Sequence, residues 1–231
     1  MFWRFLSTAI GGVILVSAQS DSRAADELIV PGVRVGPVTR ASTEISLIEL
    51  LGKDAVQQSV DLGEGFFQPG LVIYKDDPSR RLEIVWNLDV PAHPWYVFIC
   101  RIDLTAPPPC RWRTADGVGM GTTLKELERL NGKPFRMLIW GSDGGGNVAS
   151  FDGGALASFD FDREPWNSDR LILRLEPRTD AKGYDLPKLS DEEKAEVFAG
   201  EKTVGSSHPV LQKINPYVAE VTQIFSPGGS K

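Results

Sequence analysis

The chain has 231 residues, 42% of them hydrophobic, and sets 31 acidic against 25 basic side chains for a net charge of −6. That length supports one domain, or two small ones, with a core that needs no metal to hold it together. The acidic balance argues against nucleic acid as a partner, because such proteins concentrate Lys and Arg to meet phosphate.

Met1-Phe2-Trp3-Arg4 precedes an apolar run from Phe5 to Val16, and small residues follow at Ser17-Ala18 and Ala24-Ala25. This is the layout of a secretory signal peptide over residues 1–25, with cleavage expected between Ala18 and Ala25. As a helix the run would reach about 18 Å against a hydrocarbon core of ~30 Å, so no stable membrane span is expected after processing. Cleavage removes Arg4, Arg23 and Asp21, leaving a slightly more acidic chain destined for the periplasm or the exterior.

The remainder predicts an α+β fold of two related strand, helix and antiparallel-sheet modules with short helices packed on the sheets, over 26–111 and 112–231. One continuous domain is the alternative division. In the first module Gly32 to Gly36 flank a short extended piece, and Thr39 or Ser42-Thr43 starts a helix with Ile45, Leu47, Ile48, Leu50 and Leu51 on its apolar face. Gly52 ends it, as a residue able to turn left-handed at little cost. Ala55 to Asp61 reads as a strand; Leu71 to Tyr74 and Leu82 to Trp86 read as a hairpin around Asp76-Asp77-Pro78-Ser79.

The second module repeats the glycine-rich entry at Gly117-Val118-Gly119-Met120-Gly121. Thr122-Thr123 caps a helix carrying Leu124, Leu127 and Leu130, which stops at Asn131-Gly132. Phe135 to Trp140 and Asn147 to Phe151 form a hairpin around the glycines at 144–146, and Leu171 to Leu175 is expected to extend this second sheet. A polar linker over Asp180 to Lys188 leads to a helix opened by Ser190-Asp191-Glu192-Glu193. Asn215-Pro216 and the branched residues after it favour a C-terminal strand over Tyr217 to Phe225, although Val218, Val221, Ile224 and Phe225 also fit helical spacing. Residues 226–231 are expected to be disordered.

Cys100 and Cys110, the two cysteines, are read as a disulfide suited to an oxidising compartment. Trp95 to Ile99 predicts a strand beside which Cys110 to Arg113 can return, so the sulfurs face each other across a hairpin. Closing so short a loop stabilises by roughly 3 kcal/mol. The spacing is not the CxxC of redox pairs or metal sites.

Residues Trp112 to Phe135, with Gly121-Thr122-Thr123-Leu124 and Leu130-Asn131-Gly132-Lys133-Pro134-Phe135, resemble a family of exported bacterial proteins without an assigned function. The resemblance implies a periplasmic or secreted α+β protein and transfers no catalytic residue. The coarser pattern of glycine, cap, short helix and Leu-x-Gly looks like tandem β-lactamase-inhibitor-like modules. Those modules usually carry two short helices before the sheet, where one is evident here. This second likeness implies protein binding by analogy alone.

Candidate chemistry is sparse. The histidines are His93 and His208, and no HExxH, GxSxG or phosphate-loop pattern occurs. Ser206-Ser207-His208 places a hydroxyl near an imidazole, but nucleophile and base normally meet through the fold, and a loop and cap role accounts for these residues. Gly117, Gly119 and Gly121 before a helix can present N–H groups to an anion, or simply turn the chain. Asp143, Asn147, Asp152, Asp160, Asp162 and Glu164 supply oxygen ligands, although not at EF-hand spacing. Among the tryptophans, Trp86 and Trp140 are expected in the core, and Trp95 or Trp166 is the candidate for exposure.

The reading is an exported, non-enzymatic protein that binds an unknown protein or envelope component, with no cofactor and no assigned catalytic, metal or ligand-binding residue. The alternative is a cell-envelope hydrolase built on the acidic residues of the second module.

Overall fold

A computed structural model describes residues 26–87, 92–101, 109–160, 168–178, 189–200 and 202–226. The expected signal peptide, the linker at 180–188 and the tail after 226 lie outside the described residues, as do Asp162, Glu164 and Trp166. The chain forms β1 (Leu28–Val30), β2 (Arg34–Val35), β3 (Val38–Thr39), helix α1 (Glu44–Leu51), β4 (Ala55–Gly63), β5 (Phe66–Ile73), β6 (Leu82–Asn87) and β7 (His93–Ile99). Next come β8 (Arg113–Thr114), α2 (Leu124–Asn131), β9 (Arg136–Leu138), β10 (Val148–Ser150) and β11 (Arg170–Glu176). Helix α3 (Asp191–Phe198), β12 (Thr203–Gly205), α4 (Pro209–Ile214) and β13 (Tyr217–Ile224) follow. The fold is α+β, and among the described residues no helix is long and apolar enough to cross a membrane.

Local chemistry sets the helix boundaries. Thr43, Thr123 and Ser190 each accept from the backbone N–H three residues on, whose own side chain returns to the cap N–H. These reciprocal caps satisfy two otherwise orphaned donors at each helix start. Helix α2 ends at Gly132 in the left-handed conformation, φ 77°. The two hydrogen bonds from Thr123 also hold the Glu126 carboxyl below its ordinary pKa.

The largest sheet is antiparallel, in the order β11-β13-β7-β6-β5-β4. Period-two alternation gives it two faces. Leu71, Ile73, Leu82, Ile84, Val97 and Ile99 point into the main core, together with Leu171, Leu173 and Val221. Val60, Val72, Val85 and Phe98, flanked by Leu62 and Tyr96, form a second cluster on the opposite face. Strand β6 is buried along its whole length because both faces are covered. Two smaller sheets, β3-β2-β1-β8 and β10-β9-β12, pack around the main core.

Strands from both stretches on either side of residue 111 share this sheet: β7 pairs with β13, and β13 with β11. Leu171 to Leu175 therefore belongs to the large sheet and meets the β9–β10 hairpin only at the bridge between Arg174 and Asn147. The segment after Cys110 departs from expectation as well. Instead of returning along β7, Arg111 N–H donates to Ser79 O and Arg113–Thr114 pairs parallel with Leu28–Ile29. The disulfide still forms, with Cys100 and Cys110 Cα atoms 5.8 Å apart. It anchors the fully buried Trp112, whose indole N–H donates to Arg80 O at 2.9 Å.

Gly36 faces that indole. Its φ is +52°, and a Cβ there would lie 2.5 Å from the Trp112 ring. Gly36→Ala is expected to lower unfolding free energy by roughly 2 kcal/mol or more, since backbone strain and overpacking act together. Gly132→Ala, at φ +77° with open space around it, should lose only about 1 kcal/mol. Urea unfolding of both variants checks the difference.

Candidate functional site: the cleft beneath the β4–β5 arm

The β5–β6 ladder ends at Gly70↔Val85, whereas β4 and β5 stay paired to Gly63↔Phe66. The reason is local. The hydrogen-bond alternation turns residue 69 toward β6, and Pro69 has no N–H to give. At Gly70 a Cβ would lie 2.5 Å from Ile84 O and 2.7 Å from the Val60 side chain, so the bend requires glycine. Beyond it, Ser59–Gly63 and Phe66–Pro69 run on as a two-stranded arm.

The arm curls over the second face of the sheet and roofs a cleft of about 940 Å³. Residues 58–63 form one wall, Glu83 and Phe98 the floor, and Arg174, Tyr217 and Glu220 the far side. At the centre Glu83, nearly buried, accepts from two guanidiniums. Arg81 reaches one carboxylate oxygen at 2.8 and 3.0 Å, and Arg101 reaches the other at 2.9 and 3.2 Å. Arg101 also lies 3.8 Å above the Phe98 ring and donates to Asp61 O on the arm. One buried carboxylate thus couples the arm to the floor. On the far side Arg174 meets Glu176 at 3.0 Å and Glu220 at 3.9 Å. Burial pushes the Glu176 carboxyl above its ordinary pKa against the opposing pull of Arg174, with the charge of Glu220 adding to the rise.

Phe66 and Phe67 stand at the tip, 68% and 62% exposed. Neither they nor the Arg81–Glu83–Arg101 cluster was singled out by sequence reasoning. The signals were present: adjacent aromatics between turn glycines at 63, 65 and 70, and a lone carboxylate within the apolar run Leu82 to Trp86.

The residues that the sequence did single out lie elsewhere, apart from Cys100 and, in the glycine-rich entry, Met120 at the cleft edge. Ser206 is fully buried; its hydroxyl donates to Glu128 at 2.6 Å and accepts from Phe135 N–H. His208 caps α4 through Nδ1 and sets Nε2 3.5 Å from Glu196, so it is turned to structural work rather than to Ser206. His93 opens β7.

In the glycine-rich loop, Gly117, Gly119, Gly121 and Thr122 donate their N–H groups within the chain. Leu124, Lys125 and Glu126 at the start of α2 do the same, to Pro216 O, Asn215 Oδ1 and Thr123 Oγ1. The donors that an anion would need there are taken. Asn131, read as a helix stop, does more: its buried amide bonds Lys133 O, Phe151 O and Leu156 N–H and so holds the 151–156 turn.

Two of the acids are similarly committed. Asp160 receives Ser150 Oγ at 3.1 Å and Phe151 N–H at 2.5 Å, Asp152 pairs with Arg136 at 2.7 Å, and Asp143 is exposed in its turn beside Asn147. None of them lines the cleft. Among the described residues no three His, Cys, Asp or Glu side chains are grouped to hold a metal ion. Trp86 and Trp112 are buried, Trp140 donates to Leu175 O and stacks on Phe198, and Trp95 is half-buried. Compared with protein-family models, curated proteins and solved structures, the chain matches none.

Chemically, the cleft offers fixed charges and aromatic faces. Both Glu83 oxygens are occupied by guanidinium, which suits contact and anchoring better than proton transfer. Glu83→Ala strands two guanidiniums and should cost about 3 kcal/mol of stability. Hydrogen exchange at residues 58–62 is expected to accelerate more than exchange in β6; unchanged arm protection would contradict the pinning role.

Proposed function

We propose that this chain is an exported, non-enzymatic binding protein that holds a protein or other envelope component against the β4–β5 arm and the cleft beneath it. The observation that carries this reading is the exposure of Phe66 and Phe67, consecutive residues at the tip of a projecting hairpin. Burying two such rings in a partner removes a large apolar area from water, and aromatic anchors commonly dominate interface energy. The cleft floor supplies paired charges that can register a partner's polar groups, which favours specificity over affinity.

Export is supported by the N-terminal pattern of basic, apolar and small residues and by the Cys100–Cys110 bridge, which persists best outside the reducing cytosol. The resemblance of residues 112–135 to exported bacterial proteins points the same way. The hydrolase reading requires facing carboxylates in a cleft; Asp152 and Asp160 are bonded to Arg136, Ser150 and Phe151 away from it, and Asp162 and Glu164 lie outside the described residues.

Photo-crosslinking in the native envelope tests the reading. Benzoylphenylalanine at position 66 or 67 is expected to give one shared discrete adduct, while the same probe at Val33, exposed on the β1–β2 turn, gives none. Replacing the other phenylalanine by Ser should weaken the adduct. Identical labelling from all three positions, or none from 66 and 67, would overturn the assignment.

A further inference from the structure

Strand β4 is the outermost strand of the large sheet, and among the described residues no further strand pairs with its outer edge. Donation from Tyr74 N–H to Asp54 O fixes the alternation of the ladder: Val56, Gln58 and Val60 turn their peptide groups toward β5. Ala55, Gln57, Ser59 and Asp61 therefore turn theirs away. Ala55 N–H is already given to Gly52 O, and Asp61 O already accepts from Arg101. Between them lie Gln57, Gln58 and Ser59, three consecutive exposed residues. Edge strands are ordinarily defended by Lys, Pro or an inward charge. The run Ala55 to Val60 contains none of these.

Helix α1 packs beside this strand, against the main core. Gln57 donates through its side chain to Glu44, and Ala55 packs against the main core together with Ile48 and Leu51. While Leu47 is buried, Ile45 and Leu50 remain 69% and 42% exposed. With Phe66 and Phe67, they make up four of the five large hydrophobic residues exposed among the described residues.

We propose that two copies of this chain form a two-fold dimer by antiparallel pairing of their β4 edges with Gln58 on the axis, the exposed flanks of the two α1 helices meeting beside it. The occupied groups select the register. An axis at Gln57 would call on Ala55 N–H, and an axis at Ser59 would call on Asp61 O. An axis at Gln58 takes all four new backbone hydrogen bonds from Gln57 and Ser59 of each copy. It also sets Val56 opposite Val60 of the second copy and Ala55 opposite Asp61, so no like charges face each other. This matters for a chain of net charge −6, whose copies repel over most of their surface. The contact is self-complementary and closes on itself, as a two-fold interface must.

Sedimentation equilibrium and single-cysteine cross-linking test the dimer. Because Cys100 and Cys110 are bonded to each other, Gln58→Cys adds one free thiol. Its Cα would lie about 4.5 Å from its counterpart, within disulfide reach, so mild oxidation should link two copies efficiently. Gln57→Cys and Ser59→Cys, each displaced from its own counterpart, should link several-fold less. Ser59→Pro removes an outward N–H and leaves the β5 ladder intact, so it should weaken dimerisation about tenfold or more with little change in melting temperature. Gln58→Lys, on an exposed side chain, sets like charges across the axis and should do the same without backbone change. A wild-type chain that stays monomeric at about 100 µM overturns the proposal, as does a Gln58→Lys variant that dimerises as tightly as wild type. In either case the arm-tip adduct at Phe66 can still be observed, so failure here is distinguishable from failure of the binding reading.

Discussion

The insertion of β13 between β11 and β7 is the constraint on which the rest of this structure depends. The strand is hydrogen-bonded along both edges, and Val218 and Val221 are fully buried. Val218 also exchanges hydrogen bonds with the glycine-rich loop, accepting from Gly121 N–H at 2.7 Å and donating to Thr122 O at 2.8 Å. Gln223, with no exposure, accepts from Gly32 N–H and donates to Arg170 O and Ile224 O. A buried amide with both donors and its acceptor satisfied costs little; the same amide with a partner lost is costly. One strand thus fixes the β1–β2 turn, the entry to α2 and the middle of the sheet.

That arrangement divides the sheet into a fixed side and a freer one. Toward β11 and β13 the strands are tied to loops and helices from across the chain. Toward β4 they are tied to fewer neighbours, and Pro69-Gly70 releases half of the β4–β5 hairpin from the ladder. The Arg81–Glu83–Arg101 cluster limits this freedom by joining the floor of the sheet to the arm. Apolar exposure collects on the freer side, at Phe66, Phe67, Ile45 and Leu50, and it is there that both binding and self-association are assigned.

Much of the local structure was legible in the sequence because its causes are local. Thr43, Thr123 and Ser190 announced helix starts through hydroxyls placed three residues before a complementary side chain. The hairpin of Leu71–Tyr74 with Leu82–Trp86 followed from branched residues around a Pro-Ser turn, and Asn215-Pro216 with the branched residues after it marked the start of a strand, while the short helix α4 before it was not read. What remained hidden depends on partners far away in sequence. Nothing near Cys110 says that the chain will cross to Ser79 and Leu28 rather than return along β7. Ala55 to Asp61 reads as a strand and is one, but nothing near it says that Phe66 to Pro69 will stay paired with it after pairing with β6 stops at Gly70, so the arm itself was hidden. The glycine-rich loop read chiefly as a turn into a capped helix, and its N–H groups are given to Val218, Thr122 and Thr114.

If β13 is the element that joins the fold, its amides can exchange with solvent only when the whole molecule opens. Native-state hydrogen exchange measures this directly. The amides of Val218 and Val221 are predicted to exchange with the same free energy as Ile84 in the middle of β6, and with the same denaturant dependence as global unfolding. Exchange of β13 at a free energy well below that of β6, through a local opening that leaves β5–β6–β7 protected, would contradict the account.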